Sequence, residues 1–196
     1  MILKNVYNTK KSCNNMQATQ PILEKNIKIS NIVTTADLAQ KIDIAKLNDF
    51  PWGIYDGVSY GGSCGYIKTP EMKGRVTVFS TGKMISVGSN DFEDSVNKLN
   101  QAKFYMFQEN LVSNIQLTPR IRNIIATVAF GITLDLVQLA KTIPDSTYDP
   151  EKFAGLIFRI DDGLSTLIFS SGKVVITGGK SIHDLNRTYL KLKKLF

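Results

Sequence analysis

Hydrophobic and polar residues alternate along several short stretches of this chain, which is the pattern of β-strands that bury one face. In the second half the alternation covers Phe153–Ile160, Ser165–Phe169 and Lys173–Thr177, and turn-forming residues at 161–163 and 170–172 separate these stretches. Because connections this short join antiparallel neighbours, the pattern predicts a meander of three antiparallel strands.

Helical patterns occupy two positions in each half. A short one follows a β-branched stretch, at Ile42–Leu47 and at Leu134–Ala140, and Asp43 and Asp135 stand where an acidic residue favours a helix N-terminus. An amphipathic helix then closes each half. The predicted N-caps of these closing helices are Asn90 and Ser181.

The same order of elements therefore occurs twice, and the residues repeat with it. Ser30–Thr35 is similar to Arg122–Thr127 at an offset of 92 residues, and Val78–Ile85 is similar to Ile168–Val175 at an offset of 90. The duplicated units are Ile29–Gly88 and Ile121–Gly178. Two long units are too few for a solenoid, whose repeats are shorter and more numerous. The duplication predicts a pseudo-twofold molecule, which suits a partner that is itself nearly twofold.

Successive residues of a strand point to opposite faces of a sheet, so the second unit defines two faces. One face is wholly apolar, and we expect the helices to cover it: Ile124, Ala126, Val128, Leu156, Phe158, Ile160, Ile168, Val174 and Ile176. The opposite face is apolar with interspersed donors: Asn123, Ile125, Thr127, Phe153, Ile157, Arg159, Leu167, Phe169, Lys173, Val175 and Thr177.

Two helices in each unit can cover one side of such a sheet, so the second face is expected to be open to solvent or to a ligand. An apolar surface of this extent usually marks a binding site. Aliphatic side chains, single amide and hydroxyl donors and marginal cations suit the floor of a DNA minor groove, which offers mainly acceptor atoms and has phosphates along its edges. The alternative from the pattern alone is that this face packs against a second copy of the chain or another protein.

The composition is that of an ordinary globular chain of 196 residues, 43% hydrophobic and 21% charged, which is enough to bury a sizeable core. The formal net charge of +7 is spread over both halves, since residues 1–110 carry 13 Lys and Arg against 10 Asp and Glu, and residues 111–196 carry 11 against 7. This balance fits a polyanionic partner that both halves approach, and simple solubility explains it equally well.

The N-terminal segment, the absence of long apolar runs and the cysteines indicate the kind of compartment in which the protein works. Segment 1–26 is polar without an apolar period, and we predict a flexible arm. No apolar run is long enough to span a membrane and no secretory signal is evident, so we expect no membrane association and a reducing compartment. Cys13 and Cys64 are far apart in the sequence and indicate neither a disulfide framework nor a zinc site.

Catalytic and cofactor motifs are not evident. Gly179-Lys180-Ser181 resembles the end of a phosphate-binding loop, but Val174 stands where the full motif needs glycine. His183 is the only histidine and lies in a charged helical segment near Asp184, and no nucleophile–base or metal-ligand spacing accompanies it. The sequence therefore predicts a protein that is not an enzyme and holds no cofactor or metal.

Three stretches of the second unit are similar to a known family: Asn123–Val128, Tyr148–Ile160 and Leu167–Gly178. They resemble the second repeat of the TATA-binding proteins, the general transcription initiation factors of eukaryotes and archaea. The resemblance covers about 28–196, densely in the second repeat and sparsely in the first. It implies an α+β fold, a pseudo-twofold saddle in which a curved ten-stranded antiparallel sheet carries helices on its convex face, with repeats at 27–110 and 111–196.

The resemblance, rather than the residue pattern, implies that the concave face lies in the minor groove and that pairs of Phe wedge into base steps and kink the duplex. By position, the wedge residues are Phe153 and Phe169 in the second repeat and Phe79 in the first, where Tyr60 replaces the other Phe. The remaining implied DNA contacts are the amides Asn31 and Asn123, the aliphatic Val33, Ile85, Ile125, Leu167 and Val175, the hydroxyl of Thr177, and the cations Lys83, Arg159, Lys173 and Lys180.

A partner surface is implied around Asp149 and Glu151, which match the acidic pair with which the family engages a factor-IIB-type protein. Lys152 departs from the family pattern, which has an apolar residue there. The first repeat departs further, because the glycine-rich stretch after Tyr60 replaces an apolar strand and Thr77 replaces a leucine that faces the groove. Val87 replaces the hydroxyl residue. We therefore expect lopsided DNA contact, with the first half altered.

The implied function is that of a general transcription initiation factor that binds and bends TATA-type promoter DNA and recruits a factor-IIB-type protein and RNA polymerase. The alternative is a diverged module that acts mainly through protein–protein interaction, with weak or non-selective DNA binding. The free protein could also form a homodimer through its open face. The expected location is nuclear for a eukaryotic chain and cytoplasmic or virion-associated for an archaeal or viral one. The basic charge and the N-terminal arm, which is rich in Asn and Lys, favour a nucleus or a virus of eukaryotes.

Overall fold

The computed structural model describes residues 22–160 and 163–196. In these ranges the chain forms one ten-stranded antiparallel sheet and three α-helices. The strands are β1 (Ile27–Asp37), β2 (Gly53–Ile54), β3 (Cys64–Ile67), β4 (Arg75–Phe79), β5 (Lys83–Ser89), β6 (Arg120–Ala129), β7 (Ser146–Thr147), β8 (Leu156–Arg159), β9 (Ser165–Ile168) and β10 (Lys173–Gly179). The α-helices are α1 (Phe92–Gln108), α2 (Leu136–Thr142) and α3 (Ile182–Lys193), and 3₁₀ helices span Ile44–Asp49 and Ser59–Gly62.

The strand order confirms the predicted duplication. It runs β2-β3-β4-β5-β1-β6-β10-β9-β8-β7, so each unit contributes five strands in mirrored order. The two units meet at the centre, where β1 and β6 pair antiparallel, with Asn31 opposite Ile125 and Val33 opposite Asn123. The predicted meander is also confirmed, since β8, β9 and β10 are consecutive antiparallel neighbours.

The wedge candidates of the second unit lie just outside the strands that were predicted to contain them. The predicted strand Phe153–Ile160 begins only at Leu156, and the strand predicted to end at Phe169 ends one residue earlier. The Phe153 amide N–H donates to the Asp149 carbonyl, 2.9 Å away, and this turn keeps Phe153 out of the ladder. Phe153 is therefore presented from a turn, whereas Phe169 closes the hairpin of β9 and β10, where its amide N–H donates to the Lys173 carbonyl at 2.9 Å.

The helices cover one face of the sheet and divide the core into two clusters. Every residue of the predicted apolar face is buried, and these residues pack with Leu185, Tyr189 and Leu192 of α3. A second cluster joins the strands of the first unit to Leu99, Ala102 and Met106 of α1. The buried strand residues of the second unit follow the period of two, which is why alternation predicted them.

Helix caps follow the sequence signals with one correction. The Ser181 hydroxyl accepts from the Asp184 amide N–H, as predicted. The prediction of Asn90 as the cap of α1 was wrong: Asp91 is the N-cap, because its carboxylate accepts from the Asp94 amide N–H at 2.9 Å. The predicted helix Ile42–Leu47 is a 3₁₀ helix at 44–49, and the one predicted at 134–140 lies at 136–142, each starting after its aspartate.

The end of the predicted N-terminal arm packs on the second unit. Residues 1–21, including Cys13, lie outside the described part of the chain, as do Asp161 and Asp162 of the predicted turn. The Asn186 side chain donates to the Ile22 carbonyl and accepts from the Glu24 amide N–H, and the Asn26 amide donates to the Tyr189 hydroxyl. These bonds to α3 order residues whose composition alone predicted flexibility.

Candidate nucleic-acid interface

The face of the sheet opposite the helices is accessible to solvent, and we call it the open face. Its residues are half-buried or exposed: Asn31, Val33, Phe79, Lys83, Ile85, Asn123, Ile125, Phe153, Arg159, Leu167, Phe169, Lys173, Val175 and Thr177. The described residues therefore leave uncovered the surface that the sequence predicted to be open. Tyr60, the remaining predicted DNA-contacting residue on this side of the sheet, lies at one end of the open face and is 74% exposed.

Two asparagines stand at the centre of the open face in equivalent positions. The side-chain oxygen of Asn31 accepts from the Gly88 amide N–H at 2.8 Å, and that of Asn123 accepts from the Gly178 amide N–H at 2.8 Å. Because a backbone N–H can only donate, each amide oxygen must face its glycine, which fixes the orientation of the amide. The amino groups, which only donate, are left for a ligand that offers acceptors.

An aromatic pair stands at each end of the open face. The rings of Phe153 and Phe169 have centroids 5.9 Å apart at an interplanar angle of 65°, and those of Tyr60 and Phe79 are 6.1 Å apart at 71°. Both are edge-to-face contacts, the arrangement that aromatic quadrupoles prefer. Tyr60 thus lies against Phe79 as Phe153 lies against Phe169.

A small residue lies beneath each aromatic pair. A Cβ added to Gly155 would come within 2.8 Å of the Phe153 ring and 3.1 Å of the Phe169 ring, so glycine lets both rings lie against the backbone. In the first unit Cys64 is the strand partner of Phe79, and it is fully buried. Cys64 therefore packs inside the protein as a small apolar residue, and it is a free thiol.

The segment that carries Tyr60 differs from its counterpart. Five positions separate Tyr60 from Gly65 of β3, whereas three separate Phe153 from Leu156, the equivalent residue of β8. The chain takes up the two extra residues with left-handed backbone at Tyr60 (φ 52°) and at the two glycines that follow it. A left-handed conformation costs a non-glycine residue roughly 1 kcal/mol. Positions 61 and 62 avoid this cost because they are glycine, whereas Tyr60 bears it.

Asp56 holds the start of this segment. Its carboxylate accepts from the Ser59 hydroxyl at 2.6 Å and from the amide N–H groups of Val58 and Ser59. The hydrogen bond from the Ser59 hydroxyl, followed by those from the backbone, lowers the pKa of Asp56. The loop that presents Tyr60 therefore has a local hydrogen-bonded anchor at its base.

Cations lie at the margins of the open face. Lys83 and Lys173 are exposed at the equivalent first positions of β5 and β10, and Arg159 is exposed at the end of β8. Lys180 is exposed directly after the last residue of β10, and its backbone N–H donates to the Asp184 carboxylate at the start of α3. All four predicted cations are therefore exposed, and Lys83, Arg159 and Lys173 lie on strands of the sheet.

Sequence reasoning missed Arg122 and Arg120. The register of β6 shifts between the pairs Val33–Asn123 and Thr34–Ile121, so Arg122 is an extra residue in a bulge. The Arg122 Nε–H donates to the Thr35 hydroxyl at 2.9 Å. Both arginines and Lys83 line a groove of about 870 Å³ along the first unit. Strand alternation could not assign Arg122 to this face, because a bulge breaks the period of two.

The acidic pair of the predicted partner surface is partly neutralised. Asp149 lies in the turn before Phe153, and its carboxylate contacts the Lys152 ammonium at 2.7 Å. Glu151 and Lys152 are exposed. Lys152, which stands where the family has an apolar residue, therefore pairs directly with Asp149.

The fold and this face define a class of protein: a pseudo-twofold saddle with a donor-bearing apolar underside, aromatic pairs at both ends and cations at the margins. The sequence model of the family described as transcription factor TFIID, or TATA-binding protein, matches residues 26–105 and again 118–195. The chain belongs to the TATA-binding protein family. This makes it a DNA-binding transcription initiation factor with the α+β saddle fold.

Curated relatives and a solved structure agree with this assignment. The TATA-box-binding protein of Cenarchaeum symbiosum is 41% identical over 165 residues, covering 84% of this chain and 91% of the relative. That of Archaeoglobus fulgidus is 31% identical over 173 residues, covering 86% and 93%. The structure of Methanococcus jannaschii TBP superposes with a TM-score of 0.78 at 27% identity, covering 87% of this chain and 97% of that one.

These relatives are archaeal, so the nuclear location favoured by the basic charge is not supported. Composition misled here because a net positive charge suits any DNA-binding protein, whichever cell contains it.

Proposed function

We propose that the open face binds the minor groove of TATA-type promoter DNA and bends it, acting by binding and not by catalysis. The observation that carries this proposal is the pair of edge-to-face aromatic contacts, 5.9 Å and 6.1 Å between centroids, at the two ends of one uncovered apolar surface. Rings at both ends can enter two separate base steps, and unstacking two steps kinks a duplex towards its major groove.

The chemistry between the rings matches the groove floor. An A·T pair presents only acceptors in the minor groove, and the amide groups of Asn31 and Asn123 are held with their donors outward. Aliphatic Val33, Ile85 and Ile125 contact sugar edges without demanding hydrogen bonds. A G·C pair adds a donor that meets these donors unfavourably, which gives preference for A·T.

The marginal cations supply affinity without sequence preference. Lys83, Arg159 and Lys173 lie where the phosphates along the groove would pass, and Arg120 and Arg122 of β6 extend this row towards the first unit. Neutralised phosphates release counterions, so binding weakens as salt rises.

We further propose that the turn at Asp149 and Glu151 seats a factor-IIB-type protein, which recruits RNA polymerase. The ion pair from Lys152 lowers the negative charge of this surface, so we expect the matching partner to rely less on a cationic contact than in other family members. In an archaeal cell this assembly takes place in the cytoplasm.

A second candidate is a protein-interaction module that has kept the saddle. It is favoured by an aromatic surface on the helical side of the first unit, where Trp52 stacks on Phe50 at 4.9 Å and on Tyr105 at 5.6 Å, and where Phe104 is 52% exposed. Such a surface has room for a protein partner while the open face holds DNA.

A gel-shift titration separates the two. Duplexes with a TATA element and with the same bases scrambled are titrated at two salt concentrations, with and without a factor-IIB-type protein. Micromolar or tighter selective binding that weakens with salt supports the promoter factor. Equal binding to both duplexes, even with the partner present, supports the module. Sedimentation of the free protein tests a homodimer, which DNA should dissociate if it uses the open face.

A further inference from the structure

The two halves of the open face differ at one row of equivalent residues. In the first unit Thr77 pairs across the ladder with Ile85 on one side and Tyr66 on the other. In the second unit Leu167 pairs with Val175 and Ile157 at the matching positions. A threonine therefore occupies, in the first half, the place of a leucine in the second.

Thr77 is also more deeply buried than the residues beside it on the open face. It is 9% exposed, whereas Tyr66, Ile85 and Leu167 are half-buried. The Arg75 guanidinium lies 4.2 Å from the centre of the Tyr66 ring, which holds that ring as a wall beside the threonine. Among the described residues the Thr77 hydroxyl has no hydrogen-bond partner. The first half thus has a shallow recess with an available hydroxyl at its base.

The minor groove offers one group that such a recess fits. A G·C pair differs there from an A·T pair by the exocyclic amino group of guanine, which projects from the groove floor and donates hydrogen bonds. A leucine disfavours the guanine amino group for two reasons: it fills the space that the group needs, and it leaves the amino donor without a hydrogen-bond acceptor. A threonine leaves space and can accept the hydrogen bond.

We propose that Thr77 is a specificity-determining residue: through it, the first half of the open face accepts a G·C pair at one step, while Leu167 makes the second half reject a G·C pair at the equivalent step. The two half-sites are then chemically different, although the fold is nearly twofold. This inference rests on the proposed binding of the minor groove.

The test uses a self-complementary TATATATA duplex, on which the protein can bind in either orientation. One set of duplexes carries a single G·C pair, placed at each position of one half in turn, and a second set carries G·C pairs at both mirror positions. At one position we expect the single substitution to keep affinity within about threefold, because the protein turns to place it under Thr77. The double substitution should lose about tenfold or more, since one pair then lies under Leu167.

Reciprocal variants at the two equivalent positions show whether residues 77 and 167 determine the tolerance of a G·C pair. Thr77→Leu should lose about tenfold on the single substitution, and Leu167→Thr should recover most of the loss on the double one. Thr77→Val keeps the volume and removes the acceptor, so it should behave like Thr77→Leu. Thermal unfolding of each variant shows whether it is folded, and Leu167→Thr tests the proposal even if Thr77→Leu is unstable.

Three results would overturn the proposal: equal penalties for each G·C pair in single and double substitutions, unchanged tolerance in Thr77→Leu, or full tolerance in Thr77→Val. Failure of the proposed function itself looks different, because the wild-type protein would then not prefer the unsubstituted TATATATA duplex over a scrambled one.

Discussion

At the scale of single residues, the backbone decides what the central asparagines present. The N–H groups of Gly88 and Gly178 take the amide oxygens of Asn31 and Asn123, which leaves an outward donor on each side of the pseudo-twofold axis. Neither glycine has a side chain, yet each fixes the hydrogen-bonding character of the face. The donors that the face presents therefore depend on backbone contacts as well as on the side chains themselves.

Replacing Asn123 with aspartate tests this arrangement. Asn123→Asp keeps the acceptor for Gly178 and turns the outward donor into an acceptor, so we expect a folded protein whose affinity for a TATA duplex falls tenfold or more. Gel shift and thermal unfolding measure the two effects. Asn26→Asp, on the helical side, is the control for added charge and should bind nearly normally. Equal binding by both variants would contradict the assignment.

The aromatic residues at the two ends should contribute unequally. Tyr60 is held by a left-handed backbone and carries a hydroxyl that is costly to desolvate, whereas Phe153 lies against Gly155. We expect Phe153→Ala to weaken binding to a TATA duplex by tenfold or more and Tyr60→Ala to weaken it several-fold less. Tyr60→Phe serves as the control for the hydroxyl. Equal losses for the two alanine variants would show that both ends wedge alike.

At the scale of elements, equivalent caps have different strengths. Asp135 accepts hydrogen bonds from the amides of Val137 and Gln138 at 3.0 Å and 3.1 Å, while Asp43 makes no side-chain bond to its 3₁₀ helix. Asp135→Ala should lower the free energy of unfolding by about 1 kcal/mol, and Asp43→Ala by only a few tenths. Urea titrations of the two variants compare them directly. A larger loss for Asp43→Ala would refute this account of the caps.

The start of α1 carries a pH-dependent contact. Burial alone raises the pKa of Asp94, but hydrogen bonds from Lys98 and Ser89 and the charges of Lys98 and Lys73 outweigh it, so the pKa is lowered. The Lys98 ammonium is 2.9 Å from the Asp94 carboxylate, and the Lys98 side chain is 3% exposed.

The lowered pKa gives stability that is present above the ordinary value of 3.8 and is lost as pH falls through the folded-state value. Asp94→Asn should therefore show a smaller loss of stability between pH ~5 and pH ~3 than the wild type. At neutral pH it should be destabilised by less than about 1 kcal/mol, since the carboxylate is half exposed. Thermal unfolding across this range measures the slope, and Glu93→Gln, at an exposed neighbour, should leave it unchanged.

At the scale of the whole molecule, the two units share one central seam. Ile27 and Ile32 of β1 belong to the core cluster of the second unit, although β1 also pairs with β5 of the first. Loss of the second core therefore removes support from a strand that the first unit needs. The units should unfold together, as one cooperative transition.

The single tryptophan makes this testable, because Trp52 lies in the first unit. Ile176→Ala, in the second core at 0% exposed, should lower the free energy of unfolding by about 2–5 kcal/mol. Trp52 fluorescence and far-UV circular dichroism should shift together in denaturant. Leu190→Ala, at a residue 49% exposed on α3, should shift neither by much. Separate transitions for the two signals would mean that the units unfold independently.

The sequence by itself determined the duplication, the strand faces of the second unit and the start of α3, because these follow from local periods of two and 3.6 and from a side chain that caps its own helix. Only the tertiary structure decided what depends on contacts distant in sequence or on breaks in a period. The Arg122 bulge, the amide orientation set by Gly88 and Gly178, and the meeting of Tyr60 with Phe79 across two extra residues are of this kind. A one-residue bulge reverses the face to which a side chain points, and no alternation of apolar and polar letters records where it occurs.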